Sequence, residues 1–209
     1  MRGLFITLEG VDCCGKSTQA ELLKSYLQKI PHRYNDVILT EEPGGTPLGR
    51  TLRQLILHPK QYCYPAPMSE IYLYMADRWQ HIHNVIVPNL DAGNIVISSR
   101  FIDSTFAYQG YGRGINLDML RLLNDFHGIA WPNITFLFNI SEDTHLSRIR
   151  KKAHLDIMEQ ETQDFLRRVR EGFLHCANTY KRIIVINGEQ SINDVFNELK
   201  LHIDKLLQC

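Results

Sequence analysis

Residues 10–17 read Gly10-Val11-Asp12-Cys13-Cys14-Gly15-Lys16-Ser17, the pattern G-x-x-x-x-G-K-[ST]. No other feature constrains the fold as tightly, because the pattern works only between a strand and a helix. The apolar run Leu4–Leu8, ending at Glu9, supplies the strand, and Thr18 opens a segment of helical period. Glycine lets the backbone curl so that its N–H groups point at phosphate oxygens. The helix N-terminus adds positive potential there. Lys16 then reaches the β- and γ-phosphates of a bound nucleoside triphosphate, and the Ser17 hydroxyl is suited to Mg²⁺. Gly10 to Thr18 are therefore the expected ATP-binding residues. Asp12 is a carboxylate inside this cradle and repels phosphate unless it points elsewhere. Its natural task is to accept a hydrogen bond from a second substrate, such as a sugar hydroxyl.

Short, almost wholly apolar runs recur at Val37–Thr40, Ile95–Ile97, Ile134–Ile140 and Ile183–Ile186. Such runs suit parallel strands covered on both faces. Between them lie helical patterns at Thr18–Ile30, Pro47–Leu57, Ser69–Val87, Leu117–Phe126 and Ile192–Leu207. The alternation predicts an α/β fold, a doubly wound parallel sheet flanked by helices. Residues 1–209 are expected to form a single domain, with a basic lid at about 148–160. The lid expectation comes from Arg148, Arg150, Lys151 and Lys152, which begin a cationic stretch reaching Arg167, Arg168 and Arg170. The alternative for that stretch is a solvated helix face.

Composition enters as exclusion. Basic and acidic residues are 23 each, for a formal net charge of zero. That disfavours a surface built to wrap nucleic acid. No apolar run approaches the roughly 18 residues of a membrane-spanning helix. The N-terminal segment lacks the long apolar core of a signal peptide. The five Cys include no Cys-x-x-Cys pair. They suit neither a disulfide framework nor a zinc site, so a reducing cytoplasm is expected. Cys13 and Cys14 beside Lys16 at a helix N-terminus are expected to favour the thiolate.

From these motifs onward the chain resembles the thymidylate kinase family over nearly its full length. The resemblance rests on Glu9–Gln19, Glu42-Pro43-Gly44-Gly45-Thr46 with Arg53, Tyr74 with Arg78, and Arg100–Thr105 with Tyr108-Gln109-Gly110, in that order, followed by the basic lid. It implies a P-loop NTPase sheet of about five strands, usually in a homodimer. It also implies transfer of the γ-phosphoryl of ATP to dTMP, giving dTDP and ADP, with Mg²⁺ as cofactor. Tyr74 and Arg78 are four apart and share a helix face. A ring beside a guanidinium can hold a base by stacking and by donation to a carbonyl, and the resemblance gives this pair the thymine. It gives Arg53 and Arg100 the acceptor phosphate, a task suited to Arg. Thr105, Tyr108 and Gln109 contact base and deoxyribose, and Tyr108 crowds a 2′-hydroxyl. Asp12 and Glu42 complete the dTMP site, while Asn187 lies beside the adenine. Gly110–Gly114 is expected to be a mobile loop.

The chain departs from the family pattern at Glu41, Ser99, Ile157 and Cys13. Relatives carry Asp at position 99 and often Arg at 41 and 157, and some carry Arg at 13. With Cys13 in the loop, the lid should supply the second cation near the transferring phosphoryl, from Arg148 or Arg150, alongside catalytic Lys16 and Arg100. Without the family Asp at position 99, Ser17 is the expected metal ligand. Glu42, and with it Glu9, is expected to act through water. Two other readings stay open: a kinase for another pyrimidine monophosphate, and a nucleotide-binding module that does not catalyse, the latter suggested by Ser99.

Overall fold

All five apolar runs form strands: β1 (Leu4–Glu9), β2 (Val37–Glu41), β3 (Ile95–Ser99), β4 (Ile134–Asn139) and β5 (Ile183–Asn187). The structure, a computed structural model, describes residues 2–59, 65–125 and 131–207. The strands pair in parallel in the order β2-β3-β1-β4-β5. β1 lies at the centre and is buried along its whole length. Phe5, Ile6 and Leu8 have no exposed surface, and each such burial contributes about 1.5–3 kcal/mol.

The helices are α1 (Lys16–Leu27), α2 (Pro47–Leu57), α3 (Pro67–His81), α4 (Val87–Asp91), α5 (Ile102–Thr105), α6 (Leu117–Asn124), α7 (Glu142–Ile149), α8 (Gln163–Thr179) and α9 (Ile192–Leu207). α2 and α9 have the expected bounds. Thr46 caps α2 by accepting from the Gly49 N–H at 2.9 Å, with Pro47 at the first helical position. α6 stops at Asn124, and Phe126 lies outside the described residues, as do Cys63 and Cys209. The long pattern from Ser69 is broken by a π-helical turn at Ile82–Ile86 between α3 and α4.

Three segments differ from expectation. α7 and α8 divide the basic stretch. Arg148 sits in the last turn of α7, and residues 150–162 form the irregular lid. Arg167 and Arg168 ride on α8, where both pair with Asp164 and Arg167 also with Glu171. That half of the stretch is a solvated helix face. The lid therefore runs a little later than 148–160. Gly110–Gly112 is not a mobile loop. Phe106–Gly112 continues α5 as a π-helical run, with Tyr108, Gln109, Gly110 and Gly112 buried. Glycine here serves close packing on α8: a Cβ on Gly112 would stand 2.7 Å from the Phe165 ring.

Candidate active site

β1 delivers the chain into the phosphate loop with Gly10 at φ 135°, in the region that favours glycine. A Cβ there would stand 2.6 Å from the Phe138 carbonyl oxygen. Cys13 takes φ 59° without being glycine, a strain that functional loops tolerate when their surroundings impose it. Gly15, at φ 108°, stands immediately before α1. The Lys16 ammonium donates to the carbonyls of Gly10 and Val11 at 3.0 and 2.8 Å. A cavity of about 960 Å³ opens over this loop, lined by Asp12, Cys13, Gly15, Lys16, Ser17 and Thr18. Its far wall includes Glu41, Ser99 and Lys152.

A second cavity, of about 520 Å³, adjoins it. All nine residues expected around the acceptor line this one cavity: Asp12, Glu42, Arg53, Tyr74, Arg78, Arg100, Thr105, Tyr108 and Gln109. Lid residues Asp156 and Met158 close it. Asp12, Glu42, Arg53 and Arg100 line both cavities.

Arg100 is held at the junction. It follows β3 with φ 70°, and its backbone N–H donates to the Leu8 carbonyl at 2.9 Å. Its guanidinium donates to the Gly10 carbonyl, Ser104 Oγ, Asp12 Oδ1 and Tyr108 Oη at 3.0, 3.1, 2.6 and 3.2 Å. Tyr108 Oη donates to Asp12 Oδ2 at 2.9 Å. Burial opposes charge on Asp12. The Arg100 and Lys16 cations outweigh it and hold the carboxyl well below its usual range. Asp12 is thus an anion turned toward Arg100 and Tyr108.

Arg78 is buried. It donates to Glu42 Oε2 at 2.8 Å, Asn124 Oδ1 at 2.5 Å and the Phe101 carbonyl at 3.1 Å. Glu42 Oε1 lies 2.9 Å from His81 Nδ1. Burial opposes ionisation of Glu42, but Arg78 and His81 keep its carboxyl below the usual value. Both Glu42 oxygens are thus engaged within the protein, which leaves each one lone pair for the waters of a metal. Glu9 is engaged likewise, accepting from the Phe101 N–H at 2.7 Å and Ser104 Oγ at 2.6 Å. Burial, with Asp103 nearby, pushes its carboxyl up to about 7. Glu41, which the β2–β3 register sets beside Ser99, also lines the phosphate cavity, and it pairs with Arg53 at 3.4 Å.

The lid also corrects the sequence reading. Arg148 donates to the carbonyls of Cys13 and Gly188, both at 3.1 Å. This places it against the outer side of the loop and the turn after Asn187. Arg150 is exposed and lines neither cavity. Lys152 is the lid cation on the phosphate cavity, bonded to the buried Glu159 at 2.5 Å. Asn187 is exposed, and its Oδ1 accepts from the Glu189 N–H. Against the thiolate expectation for Cys13, burial pushes its thiol up, and Lys152 and Lys16 do not compensate. Cys14 is buried under the loop, 3.6 Å from the Lys16 ammonium.

Sequence reasoning missed His81, Asn124, Lys152 and Glu41. His81 was legible in part, since it lies three residues from Arg78 on one helix face.

A phosphate loop that opens on one cavity, and shares an arginine with a second cavity walled by Tyr74 and Tyr108, defines a P-loop phosphotransferase working between two nucleotides. The model of the family described as thymidylate kinase matches residues 8–199. The chain belongs to the thymidylate kinase family. It is 45% identical over 205 residues to a thymidylate kinase of Carboxydothermus hydrogenoformans, covering 96% of each chain. It is 41% identical to one from Halothermothrix orenii, covering 95% of each. The crystal structure of thymidylate kinase from Ehrlichia chaffeensis superposes with a TM-score of 0.78 at 37% identity, covering the whole of both chains.

Proposed function

We propose that this chain transfers the γ-phosphoryl group of ATP to dTMP, giving dTDP and ADP. The observation that carries the reading is Arg100, which with Arg53 lines both the loop cavity and the acceptor cavity. Lys16 and the loop N–H groups hold the β- and γ-phosphates. Arg53 and Arg100 hold the acceptor phosphate, whose oxygen is already anionic and attacks without a general base. Asp12 orients Arg100. Tyr74, Arg78, Thr105 and Gln109 hold the base, and Tyr108 faces the deoxyribose. Lys152 brings positive charge to the oxygens where negative charge sits in the transition state. Lid closure excludes water and suppresses hydrolysis. Initial rates of ADP release with dTMP, dUMP, dCMP, UMP and AMP test the reading. Another nucleotide outrunning dTMP would overturn the substrate, and no release with any would leave a binding module.

Tyr74→Ala is expected to weaken dTMP binding by about 1–3 kcal/mol, the range for loss of one stacked base contact. Calorimetric titration reads this, and unchanged affinity would remove Tyr74 from the site.

The donor set also suits Mg²⁺, a hard cation that keeps several waters and needs few protein ligands. Among the described residues no cluster of three His, Cys, Asp or Glu is placed to hold a metal. The cavity instead offers the hydroxyls of Ser17 and Ser99 and the carboxylate of Glu41. In this reading Ser17 ligates the ion, and Glu41 and Ser99 bond to its waters. Mg²⁺ supplies charge neutralisation on the β- and γ-phosphates. Ser99→Asp is expected to lower the Mg²⁺ concentration for half-maximal rate, and Glu41→Gln to raise it. A Mg²⁺ titration untouched by both changes would take these positions off the metal.

Residues 1–209 act in this reading as one kinase domain. The three described cysteines, Cys13, Cys14 and Cys176, are free thiols, which suits a reducing cytoplasm. No described helix is long and apolar enough to cross a membrane. Leu48 and Leu55 on α2 and Met68 and Tyr72 on α3 stay exposed, and an apolar face of that kind suits a homodimer. Sedimentation equilibrium should give twice the chain mass, and a monomer at micromolar concentration would refute the dimer.

A further inference from the structure

The amide of Gln109 has a defined polarity. Its Nε2 donates to Glu70 Oε1 at 2.8 Å, and both side chains are buried. The reverse orientation would set the amide oxygen against a carboxylate, two acceptors with no proton between them. Glu70 cannot turn away, because its other oxygen accepts from Arg113 at 3.2 Å. Arg113 in turn pairs with Glu161 of the lid. Gln109 lines the acceptor cavity, and with one Nε2 hydrogen given to Glu70 its Oε1 is turned away from that carboxylate, as the acceptor it can offer a molecule there. Arg78, across the same cavity, engages three of its five N–H groups within the protein. The other two remain donors. The pair thus offers the base an acceptor on Gln109 and a donor on Arg78.

We infer that Glu70 is a positioning residue that sets base specificity: it fixes Gln109 as an acceptor, so the pocket takes a base whose ring N–H adjoins a carbonyl. This deepens the proposed reading and rests on dTMP entering that cavity. A thymine N3–H meets Gln109 Oε1 while its neighbouring carbonyl meets Arg78. A ring nitrogen carrying a lone pair, as in cytosine, opposes acceptor to acceptor, and leaving buried polar groups unpaired is what makes such sites selective.

The test compares dissociation constants for dTMP and N3-methyl-dTMP, in which the N3–H is replaced by N–CH₃ and both carbonyls are kept. Calorimetry measures both, so the result does not depend on turnover. The native chain is expected to prefer dTMP by about tenfold or more. Glu70→Gln has the same shape but can accept from or donate to Gln109, and should cut that preference by about threefold or more. In a Gln109→Met background the same change should leave the ratio unmoved, because Glu70 acts only through Gln109. A purely structural role would weaken both ligands equally, and an unchanged ratio in folded Glu70→Gln overturns the inference. Should that variant fail to fold, Glu70→Asp keeps the charge for Arg113 but withdraws it from Gln109, and the same expectation applies. A native ratio near one overturns the inference without any variant. dTMP that binds with the expected preference but accepts no phosphoryl group would sink the proposed reaction and leave Glu70 its role.

Discussion

Replacing Arg100 with methionine is expected to lower kcat by about 10³-fold, with ATP affinity changed only a few-fold. The magnitude is that of an arginine neutralising transition-state charge on a transferring phosphoryl group. ATP affinity survives because Lys16, Ser17 and the loop N–H groups come from β1 and α1. Arg100 also holds Asp12 as an anion, and without it that carboxylate faces both nucleotides uncompensated. Arg100→Lys should not rescue the rate. A lysine ammonium cannot bond at once to the Gly10 carbonyl, Ser104, Asp12 and Tyr108, as the guanidinium does. Steady-state kinetics beside ATP calorimetry reads the result, and a kcat within tenfold of native would take Arg100 away from the transferring group.

The second large effect is expected at Lys152. Lys152→Ala should lower kcat by about 10²-fold, whereas Arg150→Ala should stay within about twofold because Arg150 lines neither cavity. Removing Lys152 also strips the buried Glu159 of its partner, which places an uncompensated negative charge beside the phosphates. Lys152→Ala with Glu159→Ala separates the two contributions: recovery of most of the rate would assign the loss to Glu159. Lys152→Arg should keep activity within tenfold. If Arg150→Ala proves the more damaging single change, the lid closes in another register when nucleotide is bound.

The parts of the fold set by local pattern were legible. Each of the five strands is a short apolar run, and the phosphate loop announces itself by spacing. The acceptor residues converge because β2, β3 and their following helices end on one side of the sheet, as parallel α/β topology requires. What escaped depended on tertiary contact. Glycine weakens a helix on its own, so Gly110 and Gly112 read as a loop. The contacts of Gly112 with α8 and of Gly110 with Leu117 and Leu120 of α6 use their lack of a side chain to bring helices together. In α8 the stripe Phe165, Val169, Phe173 and Cys176 is buried at helical spacing, but the arginines between drew attention to charge. Lys152 could not be told from its neighbours Arg150 and Lys151 because the lid has no period. Only its backbone path, with the Ile157 N–H on the Leu57 carbonyl, decides which cation turns inward. Glu41 and Glu42 are adjacent, yet Glu42 bonds to Arg78 and His81 whereas Glu41 pairs with Arg53.

The central position of β1 has a consequence for how the chain is made. Of the five strands, the first to be synthesised is the middle of the sheet, and its partners are β3 and β4. Its six apolar and polar residues wait without a neighbour until Ile95–Ser99 and then Ile134–Asn139 have been synthesised, a non-local pairing of the slow kind. The phosphate loop waits with it. Gly10 takes its curve against the Phe138 carbonyl, and the Leu8 carbonyl receives the Arg100 N–H. A nascent chain that already contains every residue of the loop therefore has the motif without its shape. Nucleotide affinity is therefore expected only once β4 has been translated, which ATP binding by chains ending before and after Asn139 would check.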